Sequence, residues 1–291
     1  MMGAPLDPRL NAFRPDLADE RLRGRVEATR FASGSPGQVV RSTAPLKARP
    51  SGMAGLENEV LFGERVRVFD LADGWAWVQL ERDGYVGYVP ADAISETVVH
   101  PTHRVQSVGT FLYPVADIKS PPLMHLSMGS EIAVAHVDSR FAHLQTGGFV
   151  IARHIAPIGR HARDFVEVAE RFIGVPYLWG GRTRLGVDCS GLIQIALEAA
   201  GYRAPRDSDM QQASLGSEIL VPADLEGLER GDLVFWKGHA GMMVDSVLLL
   251  HANAHHMAVA VEPLSSAIDR IAKTGLAVAA IRRLGSPGRS S

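Results

Sequence analysis

Apolar and polar positions alternate with period two in short runs through the first half of the chain. "VRVFDL", "WAWVQL" and "YVGYV" alternate in this way, and "DG" and "RDG" turn signals separate them. Short strands with regular punctuation predict a small β-barrel over residues 41–98. Residues 99–157 repeat the rhythm in "VGTFLYP", "SEIAVAHVD" and "FAHLQTGGFVIARHI". "GWAWVQLERDGYVGYVPADAI" and "RFAHLQTGGFVIARHI" read as two versions of one unit, which predicts a duplicated barrel. Ahead of both, residues 1–40 read as an arm that leans on the rest of the protein. Within it, "LADERLRGRVEA" predicts a short charged helix before the break at "ASGSPGQ".

From residue 158 the period lengthens. "RDFVEVAERFIG" sets Phe165, Val168, Ala169 and Phe172 on one helical face, with Gly174 as its stop. "CSGLIQIALEAAG" does the same with Leu192, Ile195, Ala196 and Ala199, and Gly201 ends it. A run of strands follows: "DLVFW", "HAGMMVD", "VLLLHA", "MAVAVEPL" and "LAVAAIRRL". Helices first and strands after predict a segregated α+β domain over 158–291.

The chain of 291 residues has one cysteine, which excludes an intrachain disulfide framework. Its net charge of -2 gives no cationic surface for nucleic acid. The first thirty residues lack the apolar core of a secretory signal, and no apolar run is long enough to span a bilayer. A soluble cytoplasmic protein is the expectation.

That one cysteine, Cys189, opens a predicted helix with Asp188 as N-cap. Unpaired N–H groups and partial positive charge at a helix start favour a thiolate, whereas the Asp188 carboxylate opposes it. A lone cysteine is also an ordinary small core residue, so the helix start alone decides nothing. Two histidines add weight to reactivity. His239 lies early in one predicted strand and His251 at the end of the next, with a "DS" turn between them. Across such a hairpin the imidazoles are neighbours. A thiol, a base to take its proton and a second imidazole to orient that base form the arrangement of nucleophilic catalysis. His251, His255 and His256 are too closely spaced for the usual zinc pattern, so no metal is expected, and His255 and His256 are placed in a solvated turn.

"GVPYLWGGRTRLGVDCSGLIQIALEAAGYRAPRDSDMQQ", followed by "GDLVFWKGHAGMMV" and "LLLHA", resembles the NlpC-type cell-wall cysteine peptidases, a papain-like group. The resemblance covers roughly residues 160–285, and residues 41–98 resemble a bacterial SH3-like domain. It implies Cys189 as nucleophile, His239 as base, His251 as the orienting third residue and Tyr177 as part of the wall beside the nucleophile. It also implies that Asp188, Ser190, Asp207 and Ser208 approach the bound peptide, with Glu59 and Tyr85 contributing from the first SH3-like segment. The implied reaction needs no cofactor. It hydrolyses the amide between the γ-carboxyl of D-Glu and a diamino acid, diaminopimelate or lysine, in peptidoglycan stem peptides. Members with N-terminal SH3-like domains resemble recycling enzymes that require a free L-Ala N-terminus. An exported hydrolase of intact wall, an acyltransferase and a non-catalytic module that holds wall peptides stay open as alternatives. So does the oligomeric state.

Overall fold

A computed structural model of the protein describes residues 5–220 and 225–285. The chain divides into two compact units, Met1–Ile158 and Gly159–Ser291. No helix among the described residues is long and apolar enough to cross a membrane.

The first unit is all β with single 3-10 turns. Its first five-stranded sheet is built from Ser35–Val39, Arg65–Ala72, Trp75–Leu80, Val86–Pro90 and Ile94–Ser95. Thr43–Leu46 and Asn58–Leu61 pair separately as a two-stranded ladder. The second segment repeats this order. His103–Val105 pairs with both Glu131–Ile132 and Ile155–Pro157, as Ser35–Val39 pairs with both Arg65–Ala72 and Ile94–Ser95. Gly109–Leu112 and Met124–Ser127 form its two-stranded ladder, and Val134–Val137, Phe141–Leu144 and Phe149–Ile151 its meander. In each segment a 3-10 turn, Ala91–Ala93 or Ala152–His154, precedes the last strand.

The two expected barrels are ladders that do not close. In the first segment one isolated bridge, Lys47 to Tyr88, joins the two-stranded ladder to the sheet, and in the second Tyr113 to Phe149 does so. A single bridge on each side leaves no continuous ring of strand pairing. The arm also differs from expectation. Its residues 35–39 belong to the first sheet, and "LADERLRGRVEA" forms a strand at Leu17–Asp19 and one 3-10 turn at Glu20–Leu22, without an α-helix. Parallel pairing with Arg30–Ala32 captures residues 17–19 first. Leu17 and Ala12 are buried against Phe69 and Trp77, and the Arg14 guanidinium lies 4.4 Å over the Trp77 ring.

The second unit is α+β. A six-stranded antiparallel sheet runs Ser217–Glu218, Val278–Arg283, Leu233–Trp236, His239–Met243, Leu248–Asn253 and Ala258–Pro263 in spatial order. Helix α1 spans Phe165–Glu170 and is capped by Asp164; α2 spans Cys189–Ala199 and is capped by Asp188. Gly174 and Gly201, both at positive φ, end the two helical stretches. Two helices go beyond those expected from the sequence: α3, Ser208–Ser214, and α4, Leu264–Ala272, the latter with Leu264, Ala267, Ile268 and Ile271 on one apolar face. Helix α2 is buried along nearly its whole length, with Leu192, Ile193, Ile195 and Leu197 all at or below 4% exposure. It is a core helix, which is why its apolar positions crowd beyond a single stripe.

Burial of α2 brings its first turn against the loop that ends in Gly181. A Cβ on Gly191 would stand 2.4 Å from the Gly181 carbonyl oxygen and 2.9 Å from Asp188 Oδ1. Only a glycine leaves room for that backbone approach. Gly191→Ala is expected to destabilise the protein by about 1–3 kcal/mol through overpacking. An unchanged urea midpoint would show that the loop retreats freely.

Candidate active site

Cys189 starts α2 and is 93% buried, with its sulfur facing the backbone N–H groups of Ser190 and of Ala240. Ala240 follows His239 directly, so this contact sets the nucleophile beside the base that the sequence names. His239–Met243 and Leu248–Asn253 form the expected hairpin, in the register Met242 to Leu250 and Met243 to Leu249. Continued, that register sets Gly241 opposite His251, so the two imidazoles are diagonal neighbours on one face. His239 Nε2 and His251 Nδ1 lie 2.8 Å apart. Glycine at 241 makes the lean possible, because a Cβ there would come within 3.1 Å of the His251 Cβ and 2.9 Å of Leu249. Trp236, buried, flanks His239 with ring centroids 5.6 Å apart.

Beyond His251 the network continues into residues that sequence reading missed. His251 Nε2 lies 2.8 Å from Glu262 Oε1. Arg270, on α4, donates to both Glu262 oxygens. Glu262 hides within the apolar alternation "MAVAVEPL", and only the three-strand register reveals it. His251, His256 and Glu262 each bring one ligand atom within 4.8 Å of the others, the spacing of a metal-ligand group. The His251–Glu262 hydrogen bond and the Arg270 cation already engage two of the three. His255 and His256 lie exposed in the 254–257 turn.

Burial disfavours the charged form of both Cys189 and His239. Burial, with the Asp188 charge behind it, pushes the Cys189 thiol up to about 12 despite the two N–H donors and Arg206. Burial lowers His239 to about 3, with the neighbouring His251 and Arg270 adding to the effect. Burial likewise takes His251 to about 4, against the pull of Glu262. Glu262 goes the other way: burial opposes ionisation, yet Arg270 and His251 hold it down at about 2. Tyr177 is half-buried, and its hydroxyl is raised by burial and by the Cys189 and Asp188 charges, which locates it at the nucleophile.

Asp188 has a different position from the one expected. Its oxygens accept from Gly191 N–H at 2.7 Å, Gly180 N–H at 2.8 Å and Ser190 Oγ–H at 3.3 Å. Arg206, 1% exposed, donates to both oxygens at 3.0 and 2.7 Å. A carboxylate with five donors has no lone pair left for a substrate ammonium, so Asp188 is an anchor for the nucleophile turn. Ser190 Oγ also accepts from Arg206 at 2.9 Å, and Gln211 of α3 holds the Ser190 carbonyl at 2.9 Å. Both Asp188 and Ser190 thus face the interior of the turn. Asp207 and Ser208 are half-buried at the start of α3. Glu59, in the Asn58–Leu61 strand, and Tyr85, ahead of the Val86–Pro90 strand, are both buried in the first unit.

Arg206→Ala would leave the Asp188 carboxylate buried without its counter-charge. The expected loss is about 3–5 kcal/mol of stability, measured by urea denaturation. Arg206→Lys keeps the charge and loses the fork, so it should fall between that variant and the natural protein. Equal midpoints for all three would show that the pair holds nothing.

Residues 174–273 match the NlpC/P60 family, and residues 46–94 match the bacterial dipeptidyl-peptidase Sh3 domain. The chain is 29% identical to the gamma-D-glutamyl-L-lysine dipeptidyl-peptidase of Bacillus subtilis, over 68% of this chain and 72% of that one. It is 28% identical to dipeptidyl-peptidase 6 of Lysinibacillus sphaericus, over 74% of this chain and 86% of that one. A crystal structure of an NlpC/P60 family protein from Bacillus cereus shares the fold, with a TM-score of 0.71 at 21% identity, over 86% of this chain and 99% of that one. With a cysteine at the head of its buried helix, the second unit carries a domain of the NlpC/P60 family of cysteine peptidases, and an Sh3 segment of the bacterial dipeptidyl-peptidase kind precedes it in sequence.

Proposed function

We propose that the protein hydrolyses the amide between the γ-carboxyl of D-Glu and the following diamino acid in peptidoglycan stem peptides, and that it takes peptides with a free L-Ala N-terminus. The observation that carries this reading is the sulfur of Cys189 held at the start of α2 against Ala240, next to the His239–His251 pair. The substrate class rests on similarity to relatives named gamma-D-glutamyl-L-lysine dipeptidyl-peptidase and on the Sh3 segment of the dipeptidyl-peptidase kind.

In the proposed mechanism Cys189 attacks the γ-amide carbonyl as its proton passes to His239. Thiolate and imidazolium form together at the moment of attack, because each is disfavoured in the resting site. N–H groups at the start of α2, with the Tyr177 hydroxyl, face the oxyanion. His239 then gives its proton to the leaving amine, and water activated by His239 releases the acyl group from Cys189. With Asp188 committed to Arg206, we assign the substrate ammonium to Asp207, helped by Ser208. An acid that pairs with a free ammonium rejects an acylated peptide, which would leave its charge unpaired.

Cys189→Ala should lower turnover of L-Ala-γ-D-Glu-diaminopimelate by at least about a thousandfold with the fold retained. His239→Ala should cost more than His251→Ala, since orientation is partly replaceable; the reverse order would contradict these roles. The N-acetylated peptide should not be cut, and Asp207→Asn should narrow the gap between the two peptides. Release of peptides from intact sacculi would instead mark a wall hydrolase, and peptide bound but uncut would mark a binding module.

The depressed His239 value gives a sign for the pH profile. The base is lost only as pH falls through that lowered value, so kcat/KM is expected to hold its plateau at about pH 5.5, below the ordinary imidazole value of about 6.5. An acid limb centred near the ordinary value would show an imidazole in contact with bulk water.

A further inference from the structure

His239, His251 and Glu262 occupy three adjacent strands, and each contact steps one strand across the sheet. Ala260 is opposite His251 in the register, so Glu262 meets His251 by the same two-residue diagonal by which His251 meets His239. Arg270 closes the row from α4.

The hydrogen-bond directions along this row are determined by its last member. Glu262 accepts from two nitrogens of Arg270, so it is a carboxylate and can only accept. Its 2.8 Å contact with His251 therefore needs a proton on His251 Nε2. A neutral imidazole carries one ring proton, which leaves His251 Nδ1 bare. The 2.8 Å contact between that nitrogen and His239 Nε2 then needs a proton on His239 Nε2. His239 Nδ1 is left with its lone pair free. We propose that Glu262 is a positioning residue that fixes, through His251, the tautomer of His239 in which Nδ1 is the free base for the Cys189 proton.

With any other terminus the row can reverse. A donor at position 262 would turn His251 Nε2 into an acceptor, move the proton to His251 Nδ1, and leave His239 protonated on Nδ1. That ring cannot take a proton from the thiol. Once His239 is charged, the fixed row also offers it a chain of acceptors that ends in the carboxylate. No proton needs to reach Glu262. The inference rests on the assignment of Cys189 and His239 as nucleophile and base.

The tautomer is read directly by ¹⁵N NMR of the ring nitrogens of the full chain, with His239 assigned through its Ala variant. Expected in the natural protein is His239 protonated on Nε2 and bare on Nδ1; a proton on Nδ1 overturns the inference whatever the activity. Glu262→Gln, which presents an amide donor in place of an acceptor, should give a mixed or reversed pattern. It should lower kcat by about a hundredfold or more with KM changed by less than about twofold. In a His251→Asn background the amide oxygen accepts from His239 without Glu262, so Glu262→Gln should add no further loss there. An equal loss in both backgrounds would mean that Glu262 only supports the fold. Full-rate Glu262→Gln beside an inert Cys189→Ala removes this inference alone. Hydrolysis surviving Cys189→Ala removes the assignment beneath it as well.

Discussion

The site depends on the forked ion pair between Arg206 and Asp188. Asp188 caps α2, receives Gly180 N–H from the preceding loop and binds both nitrogens of a guanidinium that is almost wholly buried. One carboxylate thereby joins the loop, the helix and the segment before α3. Cys189 projects from the residue between Asp188 and Ser190, so its sulfur has the position that this knot allows. Apolar replacements of buried pairs often match their stability, so what such a pair supplies here is geometry more than net free energy. The pair is also neutral as a unit. Arg206 offsets part of the Asp188 charge that faces the thiol.

Burial pushes the Cys189 thiol up and the His239 imidazole down, so it disfavours the charged form of each. In a site of this kind charge separation is cheapest when substrate is present to accept the electrons of the sulfur and the oxyanion meets aligned N–H groups. A buried thiol reacts slowly with stray electrophiles, which suits the nucleophile role proposed for Cys189. Tyr177, raised by burial and by the neighbouring charges, stays a protonated donor across the working pH range.

Local chemistry made part of this legible in the sequence. The N-cap before a lone cysteine, the glycine stops after α1 and α2, and two histidines on consecutive apolar runs are each short-range signals, and the structure has each element where they put it. Non-local information was not legible. Arg206 sits in "APRDS", with no period to mark it as buried. Glu262 reads as the polar end of an alternating strand, and Arg270 as one more polar residue of an amphipathic helix. The Glu20–Leu22 turn shows the opposite failure: charged residues at helical spacing suggested a helix, but strand pairing between residues 17–19 and 30–32 overrode the preference. Whether the β segments close into barrels rests on pairs between strands far apart in sequence, and strand periodicity carries none of that information.

The two halves of the site are held by the same device. Arg206 forks onto Asp188 behind Cys189, and Arg270 forks onto Glu262 behind the His239–His251 pair. The difference lies in what each carboxylate has left. Asp188 spends its remaining acceptor capacity on backbone N–H groups and a hydroxyl, so it fixes where atoms sit. Glu262 spends its own on the ring proton of His251, so it fixes where a proton sits. A guanidinium serves both ends because it cannot lose its proton, so each carboxylate faces a permanent cation. Position at one end and proton direction at the other converge on Cys189 and His239, which the Ala240 contact brings to the same place.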